Sequence, residues 1–184
     1  MKKLIITANP SSKGFTHVLS WKLEALSLKQ GDEVELLDLY STPLQQDFLT
    51  YEEAKEIGEN SLTKQMQEKL LWADEYIFIF PIWWGDAPAI MKNFWDCNFT
   101  QGFAYRYRKG GKREGLLKGK QARIIATSGA PAFFYSIILH IPLFWKLNRI
   151  GFCGVKQKSF TIFGNLWRTK TDASKYLTKL EKLV

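Results

Sequence analysis

The first residues that could do chemistry lie in a short polar turn at positions 9–17, with the sequence Asn-Pro-Ser-Ser-Lys-Gly-Phe-Thr-His. The turn leaves an apolar, strand-like segment and enters a helical one. Free backbone N–H groups and the helix dipole make such a place a natural phosphate site, and Ser11, Ser12 and Thr16 could add hydroxyl contacts. The turn is neither a Walker loop nor G-x-G-x-x-G. An ordinary polar turn that caps a helix is therefore an equal alternative.

A second turn, at positions 81–88, has the sequence Pro-Ile-Trp-Trp-Gly-Asp-Ala-Pro. The adjacent Trp83 and Trp84 are hard to bury together at the open edge of a sheet, so at least one is expected to face a ligand or a partner chain. Backbone N–H groups there could contact the edge of a flat heterocycle, with an indole packed beside it. The alternative is that both tryptophans lie in the core or in a dimer contact.

A third turn consists of Thr127, Ser128, Gly129 and Ala130, and Tyr135 follows shortly after it. Small residues let the backbone approach a ligand closely. Amide N–H groups and a tyrosine hydroxyl are suitable donors to negative charge that develops on a heterocycle during reduction. Because Thr-Ser-Gly is also a common turn, this third signal is weak when taken alone.

The segments that would position these turns alternate between strand and helix character. Strands are predicted at residues 3–8, 34–39, 75–80, 122–127 and 155–162. Helices are predicted at residues 15–30, 52–73 with an interruption at Gly58, 87–99, 134–150 with a break near Pro142, and 172–183. Within the first helix, Val18, Leu19, Leu23 and Leu26 are expected to share one face.

This alternation predicts an α/β fold, a doubly wound five-stranded parallel sheet with helices on both faces. The near-continuous apolar strands are typical of strands buried on both faces. The absence of a linker or an internal repeat favours a single domain over residues 1–184. Ligands of such sheets bind beyond the carboxyl ends of the strands, which is where the three turns lie.

Composition narrows the class of protein. Seven Trp, seven Tyr and thirteen Phe among 184 residues indicate a large core, a pocket for a flat ligand or a subunit interface. Cys97 and Cys153 lack the spacing of metal ligands, so we expect buried thiols, a cytoplasmic location and no metal. The start of the sequence does not resemble a signal peptide, and the most apolar stretch, residues 131–145, is too short to span a bilayer.

The net charge is +8, and basic residues concentrate in one stretch that contains a single acid, Glu114. These basic residues are Arg106, Arg108, Lys109, Lys112, Arg113, Lys118 and Lys120. Nucleic-acid binding is one interpretation, but no recognised nucleic-acid module accompanies the stretch, and we expect no such partner. A solvated loop that attracts phosphorylated cofactors explains the charge equally well.

Several motifs, taken together, resemble the NAD(P)H:quinone oxidoreductase family of flavodoxin-like flavoproteins. They are Asn9-Pro10 followed by Phe15, Phe80-Pro81-Ile82-Trp83-Trp84, Pro88-Ala89-Ile90-Met91-Lys92, Gly102-Phe103-Ala104-Tyr105, Thr127-Ser128-Gly129 with Tyr135, and Gly151-Phe152-Cys153-Gly154. They extend from residue 3 to about residue 163. The Pro-Ile-Trp-Trp run followed by Pro-Ala-Ile-Met-Lys is the most specific of them.

The resemblance implies a homodimer with a flavin, FAD or FMN, at the subunit interface. It also implies a ping-pong enzyme that passes a hydride from NAD(P)H through the flavin to a quinone-like acceptor. By position, the flavin phosphates would contact Asn9, Phe15 and Thr16. The reactive face of the ring would meet the backbone of Ile82, Trp83, Trp84 and Gly85. The pyrimidine edge would meet Thr127, Ser128, Gly129, Ala130 and Tyr135, and the substrate walls would be Trp84, Phe103 and Tyr105.

The sequence departs from the family pattern in three places. Asn9 stands where the family usually has His, and Gly14 stands where a Ser often occurs. A family histidine that takes part in a proton relay follows the Tyr by six residues, a position held here by Ile141. His140 is adjacent, but one helical residue rotates a side chain by roughly 100°, so His140 is either a catalytic replacement or a core residue. His17 is either a phosphate contact or an exposed side chain.

Three other functions fit the same motifs. The acceptor could be an azo or nitro compound rather than a quinone. The chain could instead be a flavin-binding regulatory subunit of a membrane transporter, which is the one interpretation that includes a membrane partner. A one-electron carrier of flavodoxin type is the third, and the basic net charge disfavours it because flavodoxins resemble one another in being acidic.

Overall fold

The computed structural model describes residues 1–53, 56–57, 60–166 and 174–183. Within them the strands are β1 (Lys2–Thr7), β2 (Glu33–Asp38), β3 (Glu75–Pro81), β4 (Tyr105–Tyr107), β5 (Arg113–Gly115), β6 (Gln121–Thr127) and β7 (Lys156–Phe163). Five of them form one parallel sheet in the order β2-β1-β3-β6-β7. The predicted doubly wound sheet and its five strands are confirmed.

The α-helices of the described residues are α1 (Phe15–Lys29), α2 (Ser61–Trp72), α3 (Ala89–Asn98), α4 (Ile141–Trp145) and α5 (Ser174–Glu181). Helices α1 and α5 cover one face of the sheet, and α2, α3 and α4 cover the other. Alternation along each strand explains the two cores, since Ile5, Ile77 and Ile125 point to the first face while Leu4 and Phe78 point to the second.

The order of the strands reverses beside β1, because β2 lies on one side of β1 and all later strands of the sheet lie on the other. Such a switch point opens a crevice between the turns at the carboxyl ends of the central strands. The turns that follow β1, β3 and β6 are the three turns singled out by their composition.

Two predicted helices differ from the structure at their ends. The helix predicted at 52–73 begins only at Ser61, where the Asn60 side chain accepts a hydrogen bond from the Leu62 amide and caps it. Gly58 lies outside the described residues, as do residues 172 and 173 of the last predicted helix. In α1, Val18 is exposed rather than part of the buried face, because the buried stripe follows Leu19 and Leu23.

The helix predicted at 134–150 is divided into shorter pieces. A π-helical turn, Phe134–Ile138, precedes α4, and a second π-helical turn, Lys146–Ile150, follows it. The break lies at His140, whose φ of 49° is left-handed, two residues before Pro142 and thus near the predicted position. Proline is tolerated in the first turn of a helix because the N–H that it lacks would have no partner there.

The basic stretch at 106–120 is not simply a solvated loop. Strands β4 and β5 pair in it as an antiparallel hairpin, with Tyr105 opposite Gly115 and Tyr107 opposite Arg113. Gly115 anchors the hairpin, because a Cβ placed there would lie 2.2 Å from the backbone nitrogen of Gly154. Only glycine permits this approach.

Both cysteines are free and buried, as predicted. Burial raises the pKa of the Cys97 thiol to about 11 and that of the Cys153 thiol to about 12. Within the part of the chain that the structure describes, no helix has the length and apolar character needed to cross a membrane.

Candidate functional site

The three turns meet along one edge of the sheet, which we call the rim (residues 9–16, 82–86 and 127–131). Each turn is tied to a neighbouring strand. The Ala8 amide donates to the Ile79 carbonyl, the Ile82 amide to the Thr127 carbonyl and the Ser128 amide to the Phe163 carbonyl, over 2.7–3.0 Å. The turns therefore leave adjacent strands at nearly the same height.

Asn9 organises the first turn of the rim. Its Nδ2 donates to Thr16 Oγ1 over 2.7 Å, and its Oδ1 accepts from the Ser11 amide over 3.0 Å. A Cβ on Gly14 would lie 2.4 Å from Asn9 Nδ2, so a serine at position 14 would clash with it. The two departures from the family pattern, Asn9 and Gly14, are therefore coupled.

The first turn also offers backbone donors. Among the described residues, no acceptor is bonded to the amides of Ser12, Lys13, Phe15 and Thr16. Unpaired amides at the start of a 15-residue helix favour an anion. The hydroxyl of Thr16 is buried and bonded to Asn9, so it orients Asn9 as well as standing near the predicted phosphate position.

The second turn of the rim is tight and strained. Trp83 and Asp86 exchange two backbone hydrogen bonds of 2.8 and 3.0 Å, and the residues between them, Trp84 and Gly85, have φ values of 51° and 80°. A bulky residue with positive φ is an outlier that points to function. Trp84 is fully exposed and Trp83 is 43% exposed, so the alternative that the core encloses both indoles is wrong.

Asp86 fixes this turn to the helical segment behind it. Arg149 Nη1 and Nη2 donate to the two Asp86 oxygens over 2.8 and 2.5 Å, and Trp145 Nε1 donates over 3.1 Å. Burial opposes ionisation of Asp86, but the hydrogen bonds and charge of Arg149, with help from the Ala87 amide, outweigh it and lower the pKa. Nothing in the sequence indicated this pair, since its members lie far apart in the chain.

The third turn presents small residues and donors. The Ser128 hydroxyl donates to the Ala130 carbonyl over 2.8 Å, whereas the amides of Gly129 and Ala130 have no acceptor within the described residues. Tyr135 is half-buried against the core, and no partner for its hydroxyl occurs in the same part of the chain. The third turn thus has two amides and a phenol available as donors.

For each of the two histidines, the structure excludes one of the two alternatives that the sequence left open. His17 is buried, with Nε2 3.2 Å from Asp38 Oδ2, so the alternative that it is an exposed side chain is wrong. Its ring faces the carboxyl end of β2. His140 is exposed, so the alternative that it is a core residue is also wrong. The left-handed break turns it outward.

The predicted substrate residues lie at the base of the hairpin. Phe103 is half-buried on the core, and the Tyr105 ring packs edge-on against Phe152 at 4.8 Å. Tyr105 also lines a cavity of about 520 Å³, together with Arg149. The cavity thus joins the hairpin to the residue that holds the Trp84 turn.

An apolar surface borders the rim, and we call it the apolar segment (residues 133–147). Its exposed apolar side chains are Phe133, Phe134, Ile137, Ile138, Leu139, Leu143, Phe144 and Leu147. A Cβ on Gly85 would lie 3.8 Å from Leu139 Cδ1, so this surface is continuous with the Trp84 turn. Large exposed apolar patches mark interaction sites.

The rim fits a flavin. Free amides in the first turn suit the phosphate, free amides and Tyr135 in the third suit the electron-rich edge of the ring, and the exposed Trp84 offers a stacking surface. Gly85 has a φ of 80°, a conformation that favours glycine, so the second turn has no side chain at this position. No group of three or more potential metal ligands occurs among the described residues.

Comparison with known proteins identifies the fold family of the chain and several similar proteins. A family model described as the flavodoxin-like fold matches residues 1–184. A protein named as an uncharacterized NAD(P)H oxidoreductase from Haemophilus influenzae is 28% identical, and the match covers 98% of this chain and 92% of that one. An FMN-dependent NADH:quinone oxidoreductase from an Exiguobacterium species is 30% identical, with coverage of 85% and 80%. A crystal structure from Streptococcus mutans superimposes with a TM-score of 0.85 at 30% identity, covering 100% of this chain and 98% of that one.

Proposed function

The chain belongs to the flavodoxin-like fold family, and from that membership and the rim we propose that it is a flavin-dependent NAD(P)H oxidoreductase that reduces quinone-like acceptors. The observation that carries the proposal is the meeting of three turns beside the exposed, strained Trp84, where amides of the first and third turns have no acceptor among the described residues. Relatives named as NAD(P)H and NADH:quinone oxidoreductases support it.

The chain's own residues bind and orient the reactants. Amides of the first turn hold the flavin phosphate, with Asn9 fixing the shape of the turn. The amides of Gly129 and Ala130 and the Tyr135 hydroxyl donate to the edge of the ring where negative charge develops, which stabilises the reduced state. Trp84 packs against the nicotinamide or the acceptor. The redox chemistry, a two-electron transfer from NAD(P)H to the acceptor, would be supplied by the bound flavin.

The cofactor proposed is FMN. The Exiguobacterium relative is named as FMN-dependent, and the first turn offers donors enough for one terminal phosphate. A cytoplasmic location belongs to the same proposal, and two buried free thiols support it.

The proposal is tested by purifying the chain, recording its visible spectrum and identifying the released flavin by chromatography. We expect a flavin band that anaerobic NAD(P)H bleaches and that a quinone restores. Gly129→Val, which puts bulk on the rim, should lower flavin content severalfold, whereas Ala25→Val on the exposed side of α1 should not. A colourless protein that takes up neither FMN nor FAD from solution would overturn the proposal.

A homodimer is part of the proposal, because the apolar segment next to the rim is otherwise exposed to water. Ile137→Glu should convert the dimer into a monomer by burying a charge in the interface, where desolvation costs several kcal/mol. Leu28→Glu on α1 is the matched control, because Leu28 is 53% exposed and Ile137 is 63% exposed.

Sedimentation velocity measures the outcome. The unaltered chain and Leu28→Glu should sediment at about twice the 21.3 kDa chain mass, and Ile137→Glu at the monomer mass with less bound flavin. A monomeric unaltered chain that retains its flavin would refute the dimer and leave the flavin site standing.

A further inference from the structure

A cluster of cations on the β4–β5 hairpin is not used by the proposed flavin site. The cluster surrounds the Glu114 carboxylate. Arg106 Nε lies 2.7 Å from Glu114 Oε2. Arg108 Nε lies 2.8 Å from Oε2, and Arg108 Nη2 lies 2.6 Å from Oε1. Lys118 Nζ approaches the same carboxylate at 3.4 Å. We call these three basic side chains the hairpin cations.

The hairpin cations carry more charge than their single acid can balance. Each of the three side chains is more than half exposed, and Lys109 and Lys112 add two further exposed charges near the tip. Hydrogen bonds from Arg108 and Arg106 lower the pKa of Glu114 to about 2. Three cations around one carboxylate leave a net positive site whose guanidinium groups still have free N–H donors.

The hairpin is anchored in a way that holds these groups in place. The close packing of Gly115 on Gly154 fixes its second strand. Arg113 lies over the Phe152 ring at 4.2 Å, and Phe152 packs on Tyr105. The cations are therefore oriented before any ligand arrives, which reduces the entropy lost on binding.

The hairpin is also connected to the rim. Tyr105, the first residue of β4, lines the 520 Å³ cavity together with Arg149, and Arg149 bonds Asp86 in the Trp84 turn. The wall of the cavity therefore includes both the base of the hairpin and the residue that holds the Trp84 turn. A ligand that contacted both Trp84 and the hairpin cations would extend along this wall.

The chemistry of the cluster selects its ligand. Guanidinium groups recognise phosphate through paired N–H donors, and charge-assisted hydrogen bonds are the strong ones. NADPH differs from NADH only by a phosphate monoester on the adenosine ribose. We propose that the hairpin cations bind this 2′-phosphate, so that the chain selects NADPH over NADH. The preference for NADPH over NADH rests on the proposed function, whereas the binding of a phosphate monoester by the hairpin cations does not.

The site is tested first without flavin chemistry. Calorimetric titration of the purified full chain with adenosine 2′,5′-bisphosphate and with 5′-AMP should show the bisphosphate binding about tenfold or more tightly. Arg106→Gln with Arg108→Gln should abolish that difference, and Arg108→Lys, which keeps the charge but loses the fork, should reduce it. Lys64→Gln, an exposed lysine on α2, is the matched control and should leave the difference unchanged.

The second readout is the ratio of kcat/KM for NADPH to that for NADH, which should fall about tenfold or more in the double Gln variant. Equal binding of the two fragments, or a preference unaffected by the double variant, would overturn the inference. Binding of a nucleic-acid oligomer with no fragment preference would also overturn it. If fragment preference survives in a chain that binds no flavin, the phosphate site stands and the proposed reductase falls.

Discussion

Replacing Trp84 with glycine should leave the protein at least as stable as before while lowering kcat/KM for NAD(P)H about tenfold or more. Trp84 is fully exposed, and its φ of 51° lies in the left-handed region. The indole therefore contacts no core residue of the described chain. The left-handed conformation of its backbone costs about 1–2 kcal/mol for a residue with a side chain and little for glycine. Removing it relieves strain and loses no core contact.

The loss of activity has a separate cause. An indole packed on a flat reactant contributes about 0.5–1.5 kcal/mol beyond area burial, and the upper end of that range is about tenfold in rate. Loss of positioning adds to this, because a shift of about 1 Å at the reacting atoms can cost about a hundredfold. If Trp84→Gly raises the free energy of unfolding but lowers kcat/KM, the backbone strain at Trp84 is retained for function.

The measurement pairs urea unfolding with steady-state rates for Trp84→Gly and for a control, Leu28→Ala. Leu28 is an exposed apolar side chain near the end of α1 (Phe15–Lys29), at the opposite end of that helix from the rim, and its loss should leave the rates unchanged. A Trp84→Gly protein that is destabilised by more than about 1 kcal/mol, or that keeps full activity, would contradict the assignment.

The sheet was predictable because parallel strands buried on both faces are continuous apolar runs, a pattern that a single sequence displays directly. The positions of the three turns followed from that pattern together with the rule that ligands bind at carboxyl ends. An exposed indole at the rim was also expected, since two adjacent tryptophans are hard to bury together at the open edge of a sheet.

What could not be predicted depends on backbone geometry or on distant partners. The π-helical turns and the left-handed His140 leave the hydrophobic pattern of residues 134–150 almost unchanged, so the stretch resembles one helix. The burial of His17 depends on Asp38 at the end of another strand. The hairpin was not predicted because its strands are only three residues each and show no apolar run.

The coupling of Asn9 with Gly14 shows why departures from a family motif are better judged together. Taken alone, Gly14 removes a hydroxyl from the phosphate turn, and Asn9 puts an amide where the family usually has an imidazole. Together they exchange one side chain for another in the same space, because the Asn9 amide occupies the position that a serine side chain at 14 would need. The sequence shows the two changes but not the 2.4 Å that links them.

Arg149→Met should destabilise the protein by about 2–3 kcal/mol at neutral pH, although it keeps the volume of the side chain nearly constant. Removing one partner of a buried pair costs about 3–5 kcal/mol, because the other charge is left without compensation. We expect less here, since the Asp86 side chain is 39% exposed while that of Arg149 is only 10% exposed. The control is Lys92→Met, which breaks an exposed ion pair with Asp96 on α3 and should cost about 0–1 kcal/mol.

The pH dependence gives the same pair a second test. The pKa of Asp86 is lowered in the folded chain, so its ion pair stabilises the fold above the carboxyl's unfolded pKa of about 3.9 and stops doing so as pH falls through the folded value. The difference in unfolding free energy between the unaltered chain and Asp86→Asn should therefore be largest near neutrality and shrink in acid. A difference that stays constant with pH, or an Arg149→Met protein no less stable than Lys92→Met, would mean that the pair does not hold the turn. Because the same pair fixes the base of the Trp84 turn, its loss should also lower the rate of NAD(P)H oxidation. Lys22→Met, which breaks a surface ion pair with Glu181 between α1 and α5, should leave that rate unchanged.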